Sequence, residues 1–208
     1  MRTTVNPFPR RLLLAFCAAA ALLSGCASDK GPANTTFDFG PALAAGTAPR
    51  AAIAAIVVTD VTGSAALDSE RMFYRLNYAD ALQARTYANS RWHATPLQLI
   101  TQRLKVRMAQ SGSKVLSVTD ASAGLPILRI EVDDFSQGFD TVSQSHGTLA
   151  LRASLLVGNR LVDQKTFSRK TPAASADAAG GAAALAASTD AVAGDIIAWL
   201  ATLPLKKE

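Results

Sequence analysis

The residues whose side chains could do acid–base or metal chemistry are few and scattered. His93 and His146 lie in different segments, not at metal-ligand spacing, and each is expected to be a surface or loop residue. Asp133 and Asp134 are adjacent, but consecutive strand residues point to opposite faces, so the two carboxylates cannot act at one bond without a bulge. The sequence also has no Gly-x-Ser-x-Gly elbow and no phosphate loop. We therefore expect a binding or structural protein with no catalytic residue, metal or cofactor.

Cys26 carries the most specific chemical signal in the chain. It ends the tetrapeptide Leu23-Ser24-Gly25-Cys26, which resembles the lipobox of bacterial lipoproteins. In that motif a peptidase cuts before a cysteine that already carries a diacylglyceryl thioether, so cleavage would fall between Gly25 and Cys26. A covalent lipid on Cys26 would then hold the mature chain at a membrane, since each buried methylene adds about 0.8 kcal/mol. The alternatives are a retained signal anchor and an ordinary signal peptide in which Cys26 is incidental.

Residues 1–25 have the composition of a signal peptide. Arginines form a positive n-region, and the apolar run 12–23 follows them. This run is shorter than the roughly 20 residues of a membrane span. We therefore predict that residues 1–25 are removed and take no part in the fold.

Removal of this segment changes the charge and the cysteine count. It takes three of the 21 basic residues and none of the 16 acidic ones, so 18 basic residues remain and the net charge is about +2. That balance gives no reason to expect a nucleic-acid partner. Cys17 is lost as well, and a chain whose last cysteine is Cys26 cannot form an intramolecular disulfide.

The mature chain has the length of one domain. With 25 of the 208 residues removed, 183 remain, enough to bury a core. The polar, turn-rich residues after Cys26 predict a flexible linker over 26–36. We predict a domain over 37–203 after this linker.

The patterning predicts a helix in the middle of the domain and another at its end. Thr95 and Pro96 have the chemistry of an N-cap and a first helical residue, and apolar residues then recur at helical spacing over 97–108. The closing helix is expected to begin at or after Gly180-Gly181. Its apolar stripe should pack on a sheet, and the alternative is a membrane-surface helix. This stripe contains Leu185, Val192, Ile196, Trp199 and Leu200.

Alternating and β-branched runs predict the strands, which are 37–39, 51–61, 71–78, 81–87, 114–118, 125–135, 143–157 and 160–167. Asn89-Ser90 is expected to end the strand 81–87, and Gly158-Asn159 predicts a two-residue hairpin turn. Strands interspersed with helices indicate an α/β or α+β fold, a single domain with a mixed β-sheet and packed helices. The pattern leaves the strand order open.

Two dipeptides are candidates for contact with a protein partner. Tyr74-Arg75 and Arg91-Trp92 lie on segments that otherwise contribute little to a core, and aromatic residues and arginine are enriched at interfaces. The alternative is structural, with Trp92 covering the start of the helix at Pro96 and Arg91 paired to a carboxylate. Partner binding predicts that Trp92→Ala weakens binding and leaves thermal stability nearly unchanged.

The order of these features resembles the family of auxiliary lipoproteins of ABC-type transport systems. Nearly the whole mature chain takes part, although each motif is short. The matching residues are Phe37-Asp38-Phe39-Gly40-Pro41, Val57-Val58, Tyr74-Arg75, Arg91-Trp92 with Pro96 and the helix 97–108, the strand 128–135, and the closing alanine-rich helix with Trp199-Leu200.

This resemblance implies an outer-membrane lipoprotein that faces the periplasm and does no chemistry. Its implied partners are the membrane, through the lipid anchor, and an MCE-domain protein that works with a permease and an ATPase to move lipids between membranes. The lipoprotein would dock the MCE assembly at the outer membrane, and a homo-oligomer is compatible with this role. Two other hypotheses remain open, an outer-membrane assembly or envelope-integrity lipoprotein unrelated to lipid transport, and an envelope hydrolase.

Overall fold

The computed structural model describes residues 34–42, 53–120 and 124–204, and they form a mixed sheet with helices packed on it. The strands are β1 Thr35–Phe37, β2 Ala55–Val58, β3 Thr62–Gly63, β4 Arg71–Leu76, β5 Asp80–Trp92, β6 Lys114–Leu116, β7 Pro126–Phe139, β8 Ser145–Val157 and β9 Arg160–Pro172. The helices are α1 Pro96–Gln110 and α2 Ala178–Thr202, with a short 3₁₀ helix at Ala65–Asp68. The predicted single α/β domain with a mixed sheet is confirmed.

Strand β7 organises the sheet because both of its edges are paired along most of its length. One edge pairs antiparallel with β8, which in turn pairs antiparallel with β9. The other edge pairs in succession with three parallel strands, first β2, then β3, then β4. Beyond these, β6 flanks β2, and β5 and β1 continue the sheet outward from β4.

Most strands lie where the patterning predicts them, but β5, β7 and β9 continue four or five residues past their predicted ends. Strand β5 continues through Asn89-Ser90, the expected end, as far as Trp92. The reason is tertiary, since Ser90, Arg91 and Trp92 pair in parallel with Thr35, Thr36 and Phe37 of β1. Strand β1 accordingly begins two residues inside the predicted linker 26–36 and ends at the first residue of the predicted strand 37–39.

Helix α1 begins as its sequence predicts. The Thr95 hydroxyl accepts a hydrogen bond from the Gln98 backbone N–H, and the Gln98 side chain accepts one from the Thr95 backbone N–H. This reciprocal pair is a capping box that satisfies two backbone donors at the helix start. Pro96 follows as the first helical residue, where its missing N–H costs nothing.

Helix α2 begins earlier than expected. Its first residue is Ala178, capped by Asp177, so Gly180 and Gly181 lie in the first turn rather than before it. Both glycines are required by close packing. A Cβ on Gly180 would come 2.1 Å from the Ser175 carbonyl oxygen, and one on Gly181 would come 2.0 Å from Oε1 of Gln137.

The predicted apolar stripe of α2 is buried against the sheet. Leu185, Val192, Ile196, Trp199 and Leu200 are all 5% exposed or less. By length and composition α2 is long and apolar enough to cross a membrane, yet 56% of its apolar window is buried inside the protein. It therefore serves as a core helix in this domain, which favours packing on the sheet over a free membrane-surface helix.

Helices α1 and α2 also contact each other through charged groups. Arg103 of α1 is 5% exposed and lies 3.7 Å from Asp190 of α2. Its guanidinium also donates to the carbonyl oxygens of Phe39 and Gly40, which follow β1. Arg103 thus ties the segment after β1 to both helices.

Candidate docking surfaces

The four residues singled out as partner contacts lie on the hairpin of β4 and β5, and the structure gives them different environments. Trp92 is 1% exposed. Its ring packs edge-on against Phe39, with centroids 5.7 Å apart, and lies 5.6 Å from the ring of Phe135. A side chain with almost no exposed surface cannot contact a partner, so this burial favours the structural interpretation of Trp92.

Tyr74 is half-buried in an aromatic group on the same hairpin. Its ring centroid lies 4.7 Å from that of Tyr87 and 5.7 Å from that of Phe139. The Tyr87 hydroxyl donates a hydrogen bond of 2.9 Å to Oε1 of Gln137. Burial, with further contributions from Tyr74 and Asp177, raises the pKa of Tyr87 well above its ordinary value. Tyr87 therefore stays protonated and remains a donor at any physiological pH.

Gln137 is a buried polar residue that the sequence gave no reason to single out. It is 1% exposed, and its Nε2 donates to Oγ of Ser145 at 2.9 Å and to the carbonyl oxygen of Asp177 at 3.0 Å. Together with the bond from Tyr87, these contacts join β5, β7, β8 and the start of α2. The one feature of the sequence that relates to Gln137 is Gly181, because the absence of a side chain there leaves space for the Gln137 amide.

Arg75 and Arg91 both keep their charged groups near solvent, but only Arg75 is engaged within the domain. Its Nη1 donates to the carbonyl oxygens of Ala81 and Leu82, at 3.2 and 3.3 Å, and so holds the hairpin turn together. The Arg91 side chain is exposed and makes no hydrogen bond or ion pair to any residue the structure describes. Of the two arginines among the predicted contact residues, Arg91 is therefore the one whose charged group has no partner among the described residues.

Arg91 lines an open groove of about 650 Å³ with Arg71, which stands directly opposite it across the β4–β5 pair. Glu70 and Ser69 lie at one side of this groove, and Asn34 lies at another. We call it the arginine groove. Its remaining lining comes from residues 86–90 of β5.

A second surface lies at the opposite end of the hairpin, around its turn. Tyr78 and Leu82, at the turn, are 48% and 91% exposed, and Val142, in the β7–β8 loop, is 77% exposed. The two loops adjoin because β4 and β7 are parallel neighbours, and an added Cβ on Gly138 would meet the Asn77 amide at 2.8 Å. We call these three exposed apolar side chains the apolar tip. Clustered exposed apolar residues are typical of protein interaction sites.

A polar cluster lies at the ends of the β7–β8 loop that carries Val142. Nδ1 of His146 lies 3.0 Å from Oδ2 of Asp140, and Nζ of Lys170 lies 3.3 Å from the same oxygen. Burial lowers the pKa of His146, against the opposing effect of Asp140. The pKa of Asp140 is lowered by Lys170 and His146, although desolvation acts against the shift. At neutral pH the cluster therefore holds a neutral imidazole beside an ion pair.

The groups considered for chemistry are not brought together. His93 is exposed after β5, whereas His146 lies on β8 and is 6% exposed, so the expectation of a surface position is wrong for His146. A bulge does interrupt β7 between Val132 and Asp134. The two aspartates still engage different partners, Asp133 with Arg152 at 3.5 Å and Asp134 with the Ser136 hydroxyl at 2.9 Å. Within the described ranges no three histidine, cysteine or acidic side chains could hold a metal ion together.

The fold is a single α/β domain, a mixed sheet organised around β7 with two helices packed on it. The family model described as "ABC-type transport auxiliary lipoprotein component" matches residues 37–197. This match covers most of the chain, so the protein belongs to that family. Membership makes it a lipoprotein associated with an ABC-type transport system, anchored in the cell envelope.

Solved structures share this fold. The crystal structure of protein XCC0632 from Xanthomonas campestris has a TM-score of 0.68 and 21% identity, and the match covers 79% of this chain and 94% of that one. A crystal structure titled "uncharacterized protein" has a TM-score of 0.64 and 13% identity, with 81% and 99% of the two chains covered. A search of curated proteins finds no match to the chain.

Proposed function

We propose that this protein is a non-catalytic outer-membrane lipoprotein that docks the periplasmic MCE assembly of an ABC-type lipid transporter. The observation that carries the proposal is the family match over 37–197. The protein would face the periplasm and act with an MCE-domain protein, a permease and an ATPase.

The anchor in this proposal is Cys26, which lies outside the described residues, as do Gly25 and the predicted signal peptide. Cleavage between Gly25 and Cys26 would leave the lipidated cysteine as the first residue of the mature chain. Seven residues, and therefore eight Cα–Cα steps, then separate Cys26 from Asn34, where the described domain begins. A chain of that length reaches at most about 29 Å when fully extended. The domain would therefore stay close to the membrane that anchors it.

The surface that we propose for the MCE-domain protein is the apolar tip. Its three apolar side chains come from the β4–β5 turn, the start of β5 and the β7–β8 loop, and burying them against a partner would remove apolar area from water. The hydrogen bonds from Arg75 hold the turn, and the Asp140–Lys170 pair holds the neighbouring loop. A surface that is already rigid loses less conformational entropy on binding.

The test is co-purification of the lipidated protein with its MCE-domain partner from mildly solubilised envelopes. We expect recovery with the native chain and a loss of about tenfold or more with the Leu82→Ser and Val142→Ser double variant, because exposed interface anchors contribute most of the affinity. The matched control is Leu161→Ser, which removes a 51%-exposed leucine next to the β8–β9 turn.

Two results would contradict the proposal. Recovery of a β-barrel protein or peptidoglycan without an MCE-domain protein would favour the assembly or envelope-integrity hypothesis. Normal recovery of the MCE-domain protein with the double variant would exclude the apolar tip as the docking surface. If the protein were an envelope hydrolase, replacing His93, His146 or Asp134 would instead abolish its activity and produce the phenotype of a strain that lacks the protein.

A further inference from the structure

We propose that the arginine groove binds the phosphate headgroups of the membrane that anchors the protein. This site differs from the apolar tip, because Thr86, the first residue of β5 that lines the groove, lies four residues beyond Leu82, or about 14 Å along the strand if each residue rises about 3.4 Å. The inference rests on the lipid attachment at Cys26 that the proposed function includes.

The first argument is the arrangement of charge. Arg71 and Arg91 are direct cross-strand partners, so their side chains lie on the same face of the hairpin. Like charges in that position destabilise a strand pair. Neither guanidinium makes an ion pair or hydrogen bond to a described residue, and Glu70, the one carboxylate of the groove, makes no ion pair with either. An anion held between the two guanidinium groups would relieve their repulsion.

The second argument is the chemistry of the lining. A guanidinium presents planar donors that match two phosphate oxygens at once and loses little hydration on binding. Asn34 and Asn89 also line the groove, and their side chains have no hydrogen-bond partner among the described residues. Their amides can add neutral donors to the charged ones. The groove is open, so a headgroup can enter without displacing any part of the domain.

The third argument is the position of the groove relative to the anchor. Asn34 lines the groove and is the first residue that the structure describes. The tether of eight Cα–Cα steps from Cys26 to Asn34 has a root-mean-square length of about 16 Å if flexible. A domain of this size has a diameter of about 40 Å. Because the tether is shorter than the domain is wide, the groove stays close to the membrane surface, where phosphate groups are concentrated.

The test uses the lipidated protein in vesicles with one fluorescent label in the groove. Cys26 is blocked by its lipid and Cys17 is removed with the signal peptide, so Thr86→Cys, at a groove residue that the argument does not use as a donor, provides the only free thiol of the mature chain. We compare quenching by aqueous acrylamide in phosphatidylcholine vesicles and in vesicles with phosphatidylglycerol as about one third of the lipid. We expect about threefold less quenching with phosphatidylglycerol, and loss of this protection in high salt.

Matched variants decide between this site and general attraction to an anionic surface. Arg71→Gln with Arg91→Gln is expected to abolish the protection, whereas Arg160→Gln, an exposed arginine at the β8–β9 turn, should leave it intact. A label at Thr166, on the opposite edge of the sheet, should be quenched equally in both vesicles. Inorganic phosphate added to phosphatidylcholine vesicles should not protect the label at position 86.

Several results would overturn the inference. Equal quenching of the native chain in the two vesicles would do so, as would protection that survives in the double arginine variant. Protection by inorganic phosphate alone would identify a free anion as the ligand. Failure to float with vesicles would show that Cys26 carries no lipid, which removes the tether argument. A failure to co-purify the MCE-domain protein would contradict the proposed function but would not change the quenching results. The two proposals can therefore be tested separately.

Discussion

The indole of Trp92 joins parts of the domain that are far apart in sequence. Its ring contacts Phe39 after β1 and Phe135 on β7, and its backbone N–H donates to the carbonyl oxygen of Glu70 before β4. Strand β1 adds little area of its own, so its position depends on this aromatic contact and on the bonds from Arg103 to residues 39 and 40.

Replacement of Trp92 should therefore act on stability first. We expect Trp92→Ala to lower the free energy of unfolding by about 3–5 kcal/mol, because it leaves a large cavity in the core. Urea unfolding followed by the fluorescence of Trp199 measures the loss. Trp92→Phe, which keeps a ring between Phe39 and Phe135, should cost clearly less. An unchanged unfolding midpoint for Trp92→Ala would restore the partner-binding interpretation.

His146 should make stability depend on pH. Its pKa is lowered in the folded state, so the unfolded chain binds the proton more readily. The contribution is fully present above the unfolded pKa of about 6.5 and is lost as the pH falls through that value towards the folded pKa. The slope for one proton cannot exceed about 1.4 kcal/mol per pH unit.

Chemical denaturation of the native chain and of His146→Gln, from neutral pH to about pH 5, measures this contribution. The native chain should lose stability on acidification, and the variant should lose less over the same range. Parallel pH profiles for the two proteins would contradict the assignment to His146.

At the scale of elements, helix α2 shows how packing can override helix propensity. Glycine is unfavourable inside a helix, yet positions 180 and 181 have no space for a side chain. The Gln137 amide beside Gly181 cannot easily retreat, because it is bonded to Tyr87, Ser145 and the carbonyl oxygen of Asp177. Gly194, further along the same helix, has open space where a Cβ would lie.

Two glycine substitutions on α2 should therefore have opposite effects. Gly194→Ala should stabilise the domain by about 0.5–1 kcal/mol through helix propensity. Gly181→Ala should destabilise it by about 1–3 kcal/mol, because overpacking against Gln137 outweighs the same gain. Thermal unfolding of both variants measures the difference. Combining Gly181→Ala with Gln137→Ala should cost less than the sum of the two single changes, and strict additivity would exclude the clash.

The parts of the fold that the sequence predicts are those decided by local chemistry. Thr95 and Pro96 specify the start of α1, and Gly158 adopts a φ of 57° in the turn between β8 and β9. Distant partners decide the remainder. The end of β5 depends on pairing with β1, and the start of α2 depends on Gln137, which is more than 40 residues away in sequence.

The candidate site was predictable only in part for the same reason. Tyr74-Arg75 and Arg91-Trp92 do lie on one hairpin, but residue type alone does not distinguish an exposed Arg91 from a buried Trp92. The apolar tip depends on two loops that are adjacent only because β4 and β7 are parallel neighbours. Nothing in the local sequence around Val142 indicates that contact.

For the whole molecule, the proposed anchor is one sulfur atom, that of Cys26, which lies outside the described residues. We expect Cys26→Ser to carry no lipid and to keep residues 1–25, because the lipobox peptidase cuts only before a cysteine that already carries lipid. Cys17→Ser is the matched control and should leave both location and mature mass unchanged. Fractionation and intact mass measurement of the two variants make the comparison. Loss of residues 1–25 from the Cys26→Ser chain would indicate an ordinary signal peptide, and their presence in the native chain would indicate a retained signal anchor.

The successive pairing of β2, β3 and β4 with one edge of β7 sets an order for folding during export. Val57 pairs with Ile127, so β2 lacks its β7 partner until the chain has emerged some 70 residues further. A chain that crosses the inner membrane from its N-terminus would hold its first half unfolded, open to chaperones and proteases, until β7 arrives. The β7–β8–β9 meander, whose contacts are local, would then form quickly, and β2, β3 and β4 would pair with the free edge of β7.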